Sequence, residues 1–324
     1  SNRKVAIRAD IDALPIEEKN TFAHVSKHVG QMHACGHDGH TTILLGAARY
    51  LAETRNFEGA VHFIFQPAEE GGAGGKRMVE EGLFEKFPCD VVFAMHNKPG
   101  IPLGHMGVKA GPMLASSDTF EITVKGRGGH AAHPHLSIDP FVIGAQIVLA
   151  LQTISSRNVD PLDSVVVSIG RMQAGTTSNV IPDDLSILGT VRAFRPEVQD
   201  LAERRIGEIA KGIAATFGAV GELTYTRKYP PTINDPVQSD FAAEVAVEVC
   251  GAEKVALNVK PSMGAEDFSF LLRARPGAMV WLGNGSADGG RVLHNARYDF
   301  NDEAIPTGVS FFVRLAERYL EAGH

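Results

Sequence analysis

The feature that most constrains this chain is a series of apolar runs too continuous for half-exposed strands. "KVAIRAD", "GAVHFIFQ" and "CDVVFAMHN" show little of the polar alternation that one wet face would impose, so they predict strands covered on both sides. Helical periodicity fills the intervals. One helix is expected over "HTTILLGAARYLAETR", opened by the polar Thr41 and Thr42, and another over "GGKRMVEEGLF". Strand, helix, strand in repeated order predicts an α/β layer with a mainly parallel sheet. Such sheets bind ligands beyond the carboxyl ends of their strands.

Near Ser116 the rhythm changes. "DTFEITVKGRG", "DSVVVSIGRMQAG", "DLSILGTVRAF" and "GELTYTRKY" read as strands, with helices over "DPFVIGAQIVLALQTIS" and "VQDLAERRIGEIAKGIAATFG". The order βαββαβ is a unit that can close its own core. The expected division is therefore an α/β domain of residues 1–115 and 228–324, with an inserted α+β, ferredoxin-like domain over 116–227. The α/β rhythm then resumes with a helix near "DFAAEVAVEVCG", a strand at "GAMVWLG" and a closing helix "PTGVSFFVRLAERYLEAG".

At 324 residues, two domains are the natural expectation. The net charge of −7, from 38 acidic and 31 basic residues, argues against a nucleic-acid partner, because no Lys/Arg cluster stands ready to displace counterions. The longest apolar segment, "FVIGAQIVLALQTI", is too short for a bilayer span. Three cysteines, odd in number and far apart, argue against a disulfide framework and for a reducing cytoplasm.

The residues that could do chemistry fall just after predicted strands. "MHACGHDGH" carries Cys35 and His37, "FQPAEE" ends in Glu69 and Glu70, "AMHN" carries His96 and "VLHNARYDF" carries His294. Thiolate, imidazole and carboxylate are the side chains that bind divalent transition metals. No single pair has diagnostic spacing; the weight comes from several such groups at the strand ends of one sheet. Two adjacent glutamates suit a division of labour in which one binds metal and the other takes a proton. Asp10 and Asp12 could orient a ligating histidine, or simply close the first strand before Pro15. In the inserted domain, His130 and Asn179 would donate to a developing oxyanion, and Arg192 would grip a substrate carboxylate. The plainer readings are turn residues and a surface charge.

Taken together, "RADIDALP", "MHACGHDGH", "FIFQPAEEGGAGG", "AMHN", "GRGGHAAHPH", "NVIP…GTVRAF" and "MGAEDFS" resemble the amidohydrolase branch of the aminoacylase/carboxypeptidase G metallopeptidases. That branch includes hippurate hydrolases, N-acyl-amino-acid amidohydrolases and indole-acetyl-amino-acid hydrolases. The resemblance implies a centre of two divalent ions (manganese, zinc, cobalt or nickel) held by Cys35, His37, Glu70, His96 and His294, with Cys35 bridging. It implies Glu69 as general base toward metal-activated water and Asp12 as the aspartate behind the ligands. His130, Asn179 and Arg192 become groups of a dimerisation lid that act on a small N-acyl amino acid, so a homodimer is expected. The implied reaction splits a hippurate-like amide into a carboxylic acid and a free amino acid. The alternatives are an N-acetyldiaminopimelate deacetylase, a dipeptidase of the same branch, or a metal-binding relative that has lost catalysis. Two departures stand out. The wider superfamily has a ligating histidine where this chain has Asp10, and its members carry a segment before the first strand, so a truncated chain is expected.

Overall fold

Of the three continuous apolar runs, Lys4–Asp10 and Val91–Lys98 are buried strands inside a six-stranded sheet, whereas Ala60–Gln66 is its half-buried edge, and the contrast between the two larger sheets follows from their burial patterns. The computed structural model describes residues 2–321. Contacts divide the chain into two compact units, one of residues 1–113, 233–261 and 267–324, the other of 114–232 and 262–266. The short stretch 262–266 carries no sequence signal for the second unit. It is drawn there by backbone pairing, because the Ala115 amide donates to the carbonyls of Ser262 and Gly264.

The first unit begins with β1 (Lys4–Asp10), α1 (His37–Thr54), β2 (Ala60–Gln66), α2 (Gly74–Glu80), β3 (Val91–Lys98) and β4 (Met106–Val108). The inserted unit contributes β5 (Ser117–Lys125), α3 (Pro140–Leu151), β6 (Val165–Gln173), β7 (Asp184–Ala193), α4 (Pro196–Thr216) and β8 (Val220–Tyr229). The chain then completes the first unit with α5 (Pro236–Cys250), β9 (Val255–Leu257), α6 (Phe268–Ala274), β10 (Gly277–Gly283) and α7 (Ile305–Tyr319).

In the first unit the sheet order is β9-β4-β10-β3-β1-β2. All neighbours run parallel except β10 and β4, which pair antiparallel. β10 is buried along its whole length and β1 nearly so, as a sheet covered on both faces requires. Ile43, Leu44 and Leu51 of α1 and Phe311, Phe312 and Leu315 of α7 share a core with Val5, Ile7, Phe93 and Val280 of the strands.

The inserted unit is the βαββαβ arrangement, an antiparallel sheet in the order β8-β5-β7-β6. Along β5 burial alternates residue by residue, the sign of a sheet with one face covered. Phe120, Ile122 and Val124 on that face join Ile143 and Ile147 of α3 and Ile206 and Ala210 of α4 in a separate core.

Three local expectations change. α1 starts at His37, a full turn before Thr41. The hydroxyls of Thr41 and Thr42 donate back to the carbonyls of His37 and Asp38 at 2.7 and 2.8 Å, so they sit inside the first turns rather than capping the helix. The single helix expected over "GGKRMVEEGLF" is two, because Gly82 (φ +87) breaks it and Leu83–Lys86 forms a short second piece. The closing helix ends at Tyr319; of its expected tail, residues 322 and 323 lie outside the described residues. The short strands β4 and β9 were not expected, since three residues show no periodicity. No helix among the described residues is long and apolar enough to cross a membrane.

Candidate metal centre and active site

The first unit gathers the ligand-type residues at the carboxyl ends of its parallel strands. Cys35 lies two residues before α1 and His37 is its first residue, Glu69 and Glu70 follow β2, His96 lies near the end of β3, and His294 comes after β10. One ligand atom each from Cys35, His37 and Glu70 lie within 4.8 Å of one another. His96 Nε2 is 3.5 Å from Cys35 Sγ, and His294 Nε2 is 3.1 Å from Glu70 Oε1. The five residues thus form one connected cluster, and Glu69 beside them is buried.

Local backbone geometry explains how distant segments meet. Gly36 adopts φ +84 and turns the chain into α1. A Cβ there would sit 2.4 Å from Asn97 Nδ2 and 2.7 Å from the Tyr298 hydroxyl, so only glycine fits. His294 is itself held at φ +65, a left-handed conformation that costs a non-glycine residue about 1 kcal/mol or more. Its amide donates to the Ala34 carbonyl at 2.7 Å, tying the His294 loop to the residue before Cys35. Ala68 and Ala73, on either side of the two glutamates, also have positive φ. Strained backbone at three positions around one cluster is the distribution expected of a functional site.

The imidazoles are aimed by their other nitrogens. His96 Nδ1 donates to the Asn97 carbonyl at 2.7 Å, which leaves the Nε2 lone pair toward Cys35. His37 Nδ1 donates to Asp12 Oδ1 at 3.2 Å, and Asp12 Oδ2 accepts from the Glu70 amide at 2.9 Å. One carboxylate therefore sets both the ring of His37 and the loop that carries Glu69 and Glu70. Burial would raise the Asp12 carboxyl, but these bonds outweigh it and hold the group below the usual aspartate range.

Asp10 stands apart. Its Oδ2 accepts from Arg8 Nη1 at 2.8 Å and its Oδ1 from His40 Nδ1 at 2.6 Å. Arg8, wholly buried, also donates to Gln66 at 2.8 Å and to Asp267 at 3.0 Å, and Asp267 accepts in addition from Gln66 and from the Gly75 amide. His40 Nε2 accepts from the Asn97 amide at 2.9 Å, and Asn97 Oδ1 accepts from the Tyr298 hydroxyl at 2.7 Å. Although Asp10 and His40 lie close enough to His37 and His96 to share an ion, their polar atoms are already bonded within the protein. The position where the wider superfamily has a ligating histidine is here part of a structural network. Arg8, Gln66, Asn97, Asp267 and Tyr298 were not singled out from sequence. Arg8 alone carried a signal, as a charge inside a continuously buried strand.

The electrostatics of the cluster call for a cation. Burial pushes the Cys35 thiol up, and the carboxylates of Glu70, Asp10 and Glu69 push it further. A divalent ion among these groups reverses that balance, since its charge favours the thiolate and satisfies the carboxylates. A soft sulfur with imidazoles and a carboxylate is a donor set for transition metals. The residues present fit a metal centre.

In the inserted unit, His130 and Asn179 lie side by side. His130 pairs with Val180 across a two-residue ladder, the Ala131 amide donates to the Asn179 carbonyl at 3.1 Å, and both side chains are exposed. The His130 ring accepts from the Ala132 amide at 3.0 Å, and Asn179 Oδ1 accepts from Thr177. Arg192 lies on β7, half-buried, its guanidinium lowered by desolvation against the opposing charge of Asp118.

Comparison with known proteins agrees with this chemistry. Residues 6–318 match Peptidase family M20/M25/M40. The chain is similar to the hippurate hydrolase of Campylobacter jejuni, with 44% identity over 321 residues that cover 99% of this chain and 83% of that one. It is 42% identical to an N-acetylcysteine deacetylase of Bacillus subtilis (98% and 82% covered) and 39% identical to the IAA-amino acid hydrolase ILR1-like 4 of Arabidopsis thaliana (98% and 73%). Among solved structures, the YXEP protein of Bacillus subtilis, described as a dinuclear metal binding peptidase from the M20 family, superposes with a TM-score of 0.85 at 38% identity, covering 99% of this chain and 82% of that one. The chain belongs to Peptidase family M20/M25/M40, in its amidohydrolase branch, and is a metal-dependent hydrolase of amide bonds.

Proposed function

We propose that this protein hydrolyses N-acyl amino acids of the hippurate type, releasing a carboxylic acid and a free amino acid. The observation that carries the reading is the single connected cluster of buried Cys35, His37 and His96 with half-buried Glu70 and exposed His294, and the buried carboxylate of Glu69 beside it. Similarity to enzymes named for hippurate, N-acetylcysteine and IAA-amino acids supports the substrate class.

We assign those five residues as the side chains that would hold two divalent ions, and Asp12 to holding His37 and the glutamate loop. Bound there, the ions supply Lewis acidity that polarises the scissile carbonyl and makes water easier to deprotonate. Glu69 takes a proton from the attacking water as the C–O bond forms, and passes it to the amide nitrogen as the C–N bond breaks. His130 and Asn179 donate to the oxyanion, and Arg192 holds the carboxylate of the amino-acid half in a bidentate fork. These three groups come from the inserted unit, which we assign to dimerisation.

The test is a chelated and remetallated enzyme assayed on benzoyl-, acetyl- and indole-acetyl-amino acids. Hydrolysis that disappears on chelation, returns with metal and favours the benzoyl series is the expected result. No hydrolysis of any of them by the metal-loaded dimer contradicts the assignment.

A further inference from the structure

The first unit contains a cavity of about 580 Å³ between the loop after β3 and the segment 253–260, and none of the five cluster residues lines it. Its charge is unusual for a chain of net charge −7. Lys98, Lys254 and Lys260 all face it, against one carboxylate, Glu253. That carboxylate is folded over Gly251, within 2.8 Å of where a Cβ would stand. Among the described residues, the lysines engaged in ion pairs are Lys76 with Glu80 and Lys125 with Glu222. The three lysines of the cavity are not among them.

The remaining wall is apolar, formed by Ile101, Pro102 and Val259, with Trp281 and Met106 buried behind it. Lys98 Nζ stands 4.9 Å from the centroid of the Trp281 ring, a cation–π distance. The same ring meets His96 edge-on, with centroids 5.8 Å apart. Trp281 therefore touches both Lys98 of the cavity and His96 of the metal cluster.

A pocket of apolar wall with a few unpaired cations selects an anion that carries an apolar body. A strongly hydrated anion such as phosphate gains nothing from the indole and aliphatic surface, and a neutral apolar molecule leaves the ammonium groups without a counter-charge. We propose that this cavity is a second binding site, for an apolar carboxylate whose body packs on Ile101, Pro102 and Val259 beside Trp281 and whose head is held by Lys98, Lys254 and Lys260. Because Trp281 backs onto His96, occupancy is coupled to the geometry of the cluster.

Trp281 is the one tryptophan of the chain, so its emission reports the site directly. The metal-loaded enzyme is titrated with benzoate, benzyl alcohol and inorganic phosphate in turn. Benzoate is expected to give a saturable change, while the other two give none. In Lys254→Glu/Lys260→Glu that binding weakens at least tenfold with kcat/KM unchanged. Lys254→Arg/Lys260→Arg retains it, which separates charge from any loss of fold. An equal response to benzyl alcohol, a response that does not saturate, or one that survives in the double glutamate variant overturns the proposal, the last because benzoate is then acting at the metal cluster instead.

Discussion

Two polar clusters sit at the carboxyl ends of the same parallel sheet, and they differ in how completely they are bonded. Around Arg8, the guanidinium, Asp10, Gln66, Asp267 and His40 exchange hydrogen bonds of 2.6 to 3.0 Å with no member reaching solvent. Around Cys35, a thiol, two imidazoles and a carboxylate converge with their second nitrogens or backbones fixed from outside and their ligand atoms facing one another. The first is a closed network that holds strand ends together. The second is a set of donors arranged for something the protein must bind. Similar residue types do different work because their partners differ.

The comparison predicts separable losses. Chelation is expected to remove activity entirely while leaving the fold, read by circular dichroism, in place; a chain that unfolds on chelation has a structural metal instead. Arg8→Met strands two buried carboxylates and is expected to cost about 3–5 kcal/mol of stability in urea titrations. Cys35→Ala should cost far less in the metal-free protein and instead lose metal. Equal effects on stability would erase the distinction. Tyr298→Phe removes the buried hydrogen bond donated to Asn97 and the longer one accepted from Asn284, and is expected to cost about 1–3 kcal/mol, with metal content unchanged.

The smallest effect is a pH dependence. Burial holds the pKa of His40 below its ordinary value, against the pull of Asp10, and protonating Nε2 would break its bond from the Asn97 amide. The unfolded chain takes up a proton at this residue below about pH 6.5, where the folded chain resists it. Stability is thus full above that pH and falls as pH drops below it. His294, raised chiefly by its hydrogen bond to Glu70, contributes with the opposite sign but is half-exposed. The urea midpoint of metal-free protein is expected to fall between pH 7.5 and pH 5.5; a rise would mean that His40 is not held neutral.

Much of this was legible in the sequence, for identifiable reasons. Continuous runs such as "CDVVFAMHN" announce a buried sheet, and alternation in "DTFEITVKG" announces a sheet covered on one face. The ligand-type residues stood out because each follows such a run. What stayed hidden depends on pairing. That Thr41 and Thr42 bond backward within α1 is set by a turn at Gly36, which is forced by Asn97 and Tyr298 far along the chain. The closed network was hidden for the same reason: nothing local in "RAD" indicates that Arg8 meets Asp267, 259 residues away. Nor does any sequence pattern reveal the cavity beside Trp281, since Lys98 lies far along the chain from Lys254 and Lys260.

The central claim is that Glu69 moves the proton while its neighbours hold metal, and Glu69→Gln tests it most directly. Metal content by elemental analysis and turnover of benzoylglycine are measured on the same preparation. The account predicts wild-type metal content with kcat lowered by roughly 10²–10⁴-fold, the range for loss of a general acid–base group. Near-normal turnover, or loss of metal together with activity, contradicts it.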